Sequence, residues 1–132
     1  IKGDNTSDAT MDAARAYVES IKKEHVTILK DAPGFIVNRI NFATYAEAFR
    51  VMEEGVASIE DIDKAMRLGL NHPMGPFELT DFGGLGTLRD CLETLHELTG
   101  DERYRAVPAL DEHVAKGELG RKTGKGWYDY TK

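Results

Sequence analysis

The chain has one cysteine, Cys91, and four prolines among 132 residues. A lone cysteine excludes an internal disulfide framework and any multi-cysteine zinc site. Cys91 itself reads as a half-buried small hydrophobe within a helix. No apolar run approaches the ~20 residues that span a bilayer, and residues 1–5 are polar, unlike the start of a signal peptide. Positive charge is short as well: 17 Lys and Arg stand against 23 Asp and Glu, a net charge of −6. Phosphate backbones require a dense basic surface, so nucleic acid is excluded as a partner, whereas a small anionic ligand on a local patch is not. These absences predict a soluble protein of a reducing compartment, the cytoplasm, with neither nucleic acid nor membrane as partner. The first residue is Ile1 rather than methionine, which makes a processed chain or a fragment the expectation.

What is present is ordinary for a globular fold: 41% hydrophobic and 30% charged residues. Thr6 or Ser7 is the N-cap of a helix reaching about residue 23, with Met11, Ala14, Tyr17, Val18 and Ile21 on one face. Residues 25–29, His-Val-Thr-Ile-Leu, are short, β-branched and apolar and read as a strand. No second good strand exists in the first hundred residues, and an unpaired strand leaves backbone groups unsatisfied. The first thirty residues therefore read as the tail of a larger α/β unit.

After Pro33-Gly34 the pattern is helical. A long helix over 35–54 carries a broad apolar stripe, with Gly55 just past its end. Ser58 caps a helix to Leu68 that Gly69 stops. Residues 71–76 form a rigid connector, and Pro76 opens a short helix through Phe82. Helices over 85–98 and 108–116 follow, the first with Leu88, Leu92 and Leu95 on one face. The glycine-rich basic stretch 120–126 leads into Trp127-Tyr128-Asp129-Tyr130, which is expected to pack back onto the helices.

Few residues suggest chemistry. Gly83-Gly84-Leu85-Gly86 lacks the G-x-G-x-x-G spacing and follows no strand, and Gly124-Lys125-Gly126 lacks the Ser or Thr of a P-loop. None of His25, His72, His96 and His113 pairs with another at metal-ligand spacing, so no metal site is expected. The stretch that stands out is 31–39, Asp-Ala-Pro-Gly-Phe-Ile-Val-Asn-Arg. It puts Asn38 in the first turn or so of the long helix, beside unpaired N–H groups, where an amide can donate to a ligand oxygen and accept from a neighbour. Taken alone, the stretch reads first as a capping and packing cluster and second as a ligand contact.

Three blocks carry a resemblance: DAPGFIVNR at 31–39, HPMGPFELTDFGGLGT at 72–87 and GELGRKTGKGWYDY at 117–130. In this order and at these intervals they resemble the C-terminal domain of the 3-hydroxyacyl-CoA dehydrogenases. The resemblance covers about 6–130, with a departure at Ala43-Thr44-Tyr45, where larger apolar residues are more usual. It implies a mainly α chain: residues 1–32 as the helix-and-strand remnant of an NAD-binding Rossmann domain, residues 33–132 as a helical substrate-binding and dimerisation domain. It implies that the parent enzyme interconverts 3-hydroxyacyl-CoA and 3-oxoacyl-CoA with NAD or NADP, the short 3-hydroxybutyryl form being nearest. The dinucleotide fingerprint, the catalytic histidine and its glutamate lie upstream in that family, so this chain alone is expected to be inactive and to bind no cofactor. Asn38 matches the family's asparagine, which implies a hydrogen bond that positions the substrate. Pro73, Met74, Gly75 and Pro76 are implied as a wall near the acyl pocket. The partners implied are an acyl-CoA, the chain's own Rossmann domain and a second copy. Two other readings stand beside this one: a dehydrogenase of a non-CoA hydroxy substrate, and a stand-alone helical binding or dimerisation module.

Overall fold

Ser7 starts the first helix as predicted, its hydroxyl accepting the Thr10 N–H at 3.1 Å and so satisfying one of the unpaired donors of a helix start. The computed structural model describes residues 1–131, and the chain divides into two units, Ile1–Asn38 and Arg39–Lys132.

The first unit contains α1, Asp8–Ser20. No residue of α1 is buried; Tyr17 and Ile21 of its apolar face are 66% and 51% exposed. The helix ends before residue 23 because Lys22 adopts a positive φ of 56°. The strand expected at 25–29 is not formed. Its residues favour a strand locally, but a strand persists only as part of a ladder, and none of the described residues offers one. The segment instead holds one end of the chain in place: Lys2 donates its backbone N–H to the Ile28 carbonyl at 2.9 Å. Val26 and Leu29 are exposed.

Helix α2, Val37–Glu53, leads into the second unit, followed by α3 (Ile59–Leu70), α4 (Pro76–Gly83), α5 (Leu85–Thr99) and α6 (Pro108–Ala115). Short 3-10 turns lie at Glu102–Tyr104 and Arg121–Thr123. The mainly helical fold is therefore as expected, with local corrections. Helix α2 begins at Val37 rather than residue 35, because Gly34 and Phe35 adopt positive φ values of 75° and 48° that cannot join a right-handed helix. Helix α3 runs through Gly69, where a stop was expected, and ends when Asn71 turns left-handed at φ 55°.

Other signals act where the sequence places them. Ser58 accepts the Asp61 N–H at 3.2 Å, Pro76 opens α4, and Gly100 closes α5 at φ 66°. Leu85, Leu88, Leu92 and Leu95 form the buried stripe of α5. They join Phe49 of α2, Phe77 of α4, Tyr104 and Leu110 of α6 in one core. Trp127 packs back on that core as predicted. Its ring lies 4.9 Å from Phe49, 5.1 Å from Phe77 and 4.6 Å from His113, centroid to centroid.

Candidate functional site

Asn38 is the second residue of α2. Its side chain is exposed and forms no hydrogen bond with the described residues. It lines an apolar pocket of about 320 Å³ with Val26, Ile28, Phe35, Ile36 and Val37, among which it is the one polar side chain. An amide so placed offers a donor and an acceptor to whatever enters the pocket, and it has no proton to transfer.

The connector residues lie at the start of α4. Pro73 is exposed and Met74 half-buried, while Gly75 and Pro76 are buried against the carboxylate of Asp63. That carboxylate is 0% exposed. It accepts N–H bonds from Phe77 at 2.8 Å and Glu78 at 2.9 Å, and a hydroxyl bond from Tyr128 at 2.8 Å. It thus caps α4 from another helix, where an acceptor and a negative charge are both favoured. Any side chain at Gly75 would collide with Asp63, so this glycine is a matter of space.

Asp81, equally buried, repeats the arrangement for the tail. It accepts N–H bonds from Trp127 and Tyr128, both at 3.0 Å, and the Tyr130 hydroxyl at 2.9 Å. A Cβ at Gly120 or Gly126 would run into Asp81. Burial, then the hydrogen bond to Asp81, pushes the Tyr130 phenol up to about 12. Burial, then the bond to Asp63, pushes Tyr128 up as well. Arg121 lies 5.5 Å from the ring centroids of both Phe82 and Tyr130 and pairs with Glu78 at 2.9 Å.

Sequence reasoning missed Asp63 and Asp81. A signal was available: Asp63 falls on the apolar face of α3, between Ile59 and Met66, and Asp81 lies one turn after Phe77 on α4. A carboxylate in an apolar stripe is a buried, bonded carboxylate.

A groove of about 870 Å³ in the second unit lies between α2 and α3 over Tyr104. Its walls include Ile40, Ala43, Val51, Ala65 and Met66, with Arg39, Glu47, Asp61 and Arg103 as its charges. The connector residues Pro73 to Pro76 are not among its walls. A smaller apolar pocket of about 200 Å³ lies among α2, α4 and α5. The glycines at 83–86 join α4 to α5, helix to helix, which is not the strand-to-helix turn that cradles a pyrophosphate. Among the described residues no group of three His, Cys, Asp or Glu side chains is placed to hold a metal ion. No helix among them is long and apolar enough to cross a membrane.

Comparison with known proteins bears on this geometry. Residues 34–130 match the family described as 3-hydroxyacyl-CoA dehydrogenase, C-terminal domain. The 3-hydroxybutyryl-CoA dehydrogenase of Bradyrhizobium diazoefficiens is 47% identical over 130 residues, 98% of this chain and 44% of that protein. The crystal structure of (S)-3-hydroxybutyryl-CoA dehydrogenase from Ralstonia eutropha superposes with a TM-score of 0.89 at 46% identity, over 96% of this chain and 44% of that one. That of 3-hydroxybutyryl-CoA dehydrogenase from Escherichia coli gives 0.93 at 35% identity, over 99% of this chain and 28% of that one. The chain spans about half the length, or less, of the relatives it matches.

Proposed function

The chain belongs to the 3-hydroxyacyl-CoA dehydrogenase C-terminal domain family, and from that premise we propose that it is the substrate-positioning and dimer-forming part of a 3-hydroxybutyryl-CoA dehydrogenase. The reaction is the interconversion of a 3-hydroxyacyl-CoA and a 3-oxoacyl-CoA, with NAD or NADP as the two-electron partner, in the cytoplasm. The observation that carries the reading is the unpaired amide of Asn38 at the start of α2, in an otherwise apolar pocket.

Asn38 donates to an oxygen of the thioester or of the reacting carbon and fixes its position, so that the reacting atoms are held rather than searched for. In this reading the cofactor is held by a part of the enzyme outside this chain, as are the histidine that moves the hydroxyl proton and the glutamate that orients it. The groove between α2 and α3 takes a second copy. It holds two arginines and two carboxylates, Arg39, Arg103, Glu47 and Asp61, which suits a two-fold contact in which one patch meets itself.

The test joins this chain to the N-terminal part of the Bradyrhizobium relative and follows acetoacetyl-CoA reduction with NADH. Turnover by the fusion, none by the chain alone, and a loss of about tenfold to a hundredfold in kcat/KM for Asn38→Ala are expected. Turnover by the isolated chain, or an Asn38→Ala fusion of unchanged kcat/KM, overturns the reading.

A further inference from the structure

Three residues other than glycine hold a positive φ: Lys22, Phe35 and Asn71. Lys22 follows the end of α1 and Asn71 ends α3, where a left-handed residue is an ordinary way to stop a helix. Phe35 stands two residues before a helix instead. The turn at this point accounts for its neighbour and not for Phe35. Pro33 and Gly34 are the central pair of a turn closed by the Phe35 N–H on the Ala32 carbonyl at 3.0 Å. The second central position calls for the φ of 75° that Gly34 supplies. Phe35 then adds a left-handed φ of 48°, which strains an aromatic residue and which glycine adopts freely.

Burial within the chain does not offset that strain. Phe35 is 42% exposed and stands outside the hydrophobic core. Its ring lines the pocket of about 320 Å³ that holds the Asn38 amide, with Val26, Ile28 and Val37 as further walls. All five residues belong to the first unit. Asn38 is exposed and bonds to none of the described residues, so no polar contact among them fixes its side chain. An amide free to turn holds a ligand oxygen poorly, and a bulky neighbour that restricts it removes that loss in advance.

We propose that Phe35 is a positioning residue for Asn38: its ring, brought into the pocket by the left-handed turn, restricts the amide to orientations that face the pocket. The inference rests on the function proposed above. Glycine at this position keeps the turn and removes the ring, whereas tyrosine keeps the ring. The two variants therefore separate the side chain from the backbone it stands on.

The experiment uses the fusion described above. Phe35→Gly is expected to lower kcat for acetoacetyl-CoA about tenfold with KM changed by less than about twofold, and to melt at the temperature of the unsubstituted fusion or above it. Phe35→Tyr is expected to restore kcat. In an Asn38→Ala background Phe35→Gly is expected to cost nothing further, because the group it positions is gone. An unchanged kcat in Phe35→Gly, or a loss that adds in full to that of Asn38→Ala, overturns the proposal and leaves Asn38 its role. A lowered melting temperature together with a kcat that tyrosine does not restore makes the ring structural and overturns it as well. An unchanged Asn38→Ala fusion is the different failure, that of the function itself.

A second measurement, on this chain alone, needs no turnover. The side-chain NH2 signals of Asn38, identified by their loss in Asn38→Ala, are expected to be displaced by the ring current of Phe35 and to stay displaced in Phe35→Tyr. In Phe35→Gly they are expected to move to the position of a free amide. Signals that do not move in Phe35→Gly overturn the proposal whether or not the fusion reduces acetoacetyl-CoA.

Discussion

Tyr128 donates its hydroxyl to the carboxylate of Asp63 at 2.8 Å, across 65 residues of sequence. The bond ties the C-terminal tail to the start of α4 through a residue of α3, and Asp81 does the same from α4 itself. The start of α4 and the C-terminal tail are thus the two ends of a structural clamp.

Removing one hydroxyl tests the clamp. Tyr128→Phe leaves Asp63 buried with two donors instead of three. A loss of about 1–3 kcal/mol is expected for depriving a buried charged acceptor of a partner, and each kcal/mol is worth roughly 4–8 °C in a domain of this size. Thermal unfolding followed by circular dichroism measures it. An unchanged Tm refutes the clamp.

Two glycines within one stretch are expected to respond oppositely to alanine. At Gly75 a Cβ collides with Asp63, whereas at Gly69, inside α3, nothing lies within 4 Å. Gly75→Ala is therefore destabilising. Gly69→Ala stabilises by about 0.5–1 kcal/mol, because it limits the unfolded chain and suits a helix interior. Urea unfolding of both variants decides the matter; a stabilised Gly75→Ala contradicts the packing described.

Alkaline pH is expected to loosen the tail. The Tyr130 phenol is raised from 10.0 to about 12 in the folded chain. Below the unfolded value both states hold the proton and the contribution is fully present. Between about 10 and 12 the unfolded state releases it first, so stability falls over that window. Tyr128, raised for the same reasons, prolongs the loss to higher pH. Stability measured across this range in the wild-type chain and in Tyr130→Phe should differ, the variant losing less. Equal slopes would refute the assignment.

Asn38→Ala is expected to leave stability within about 0.5 kcal/mol of the wild type. The side chain is exposed and bonds to none of the described residues, so any loss of activity in the fusion belongs to the substrate and not to the fold. A large drop in unfolding free energy would mean that Asn38 has a structural role instead.

The groove offers its own test. Ala43→Glu places a charge among Ile40, Ala65 and Met66, and sedimentation is expected to show the second copy lost while the helical content is retained. A variant of unchanged mass in solution removes the second copy from this face.

These results also show which parts of the fold could be read in advance. Ser58, Pro76, Gly100 and the α5 leucines act through neighbours within a turn or two, and local signals of that kind are written in the sequence. The stretch 25–29 was misread because strand preference is local while strand pairing is not. Gly69 was misread as a stop because Asn71, two residues later, could take the left-handed turn as well. Asn38 was placed correctly at the start of a helix, but its lack of partners could be known only from coordinates. Asp63 and Asp81 lie on apolar faces, which marks them as bonded, but their partners stand 14 to 65 and 46 to 49 residues away, so the sequence does not say to what.

Gly75 and Gly126 are not among the glycines of positive φ, yet each stands where a side chain would strike a buried carboxylate. Their identity is set by a residue elsewhere in the chain and not by their own backbone. A Cβ at position 75 would strike the Asp63 backbone as well as its carboxylate, and one at 126 the Gly120 backbone as well as Asp81. Exchanging either aspartate for a smaller residue therefore does not free its glycine: the main chains themselves have closed the space, and both letters are spelled by the path of the fold.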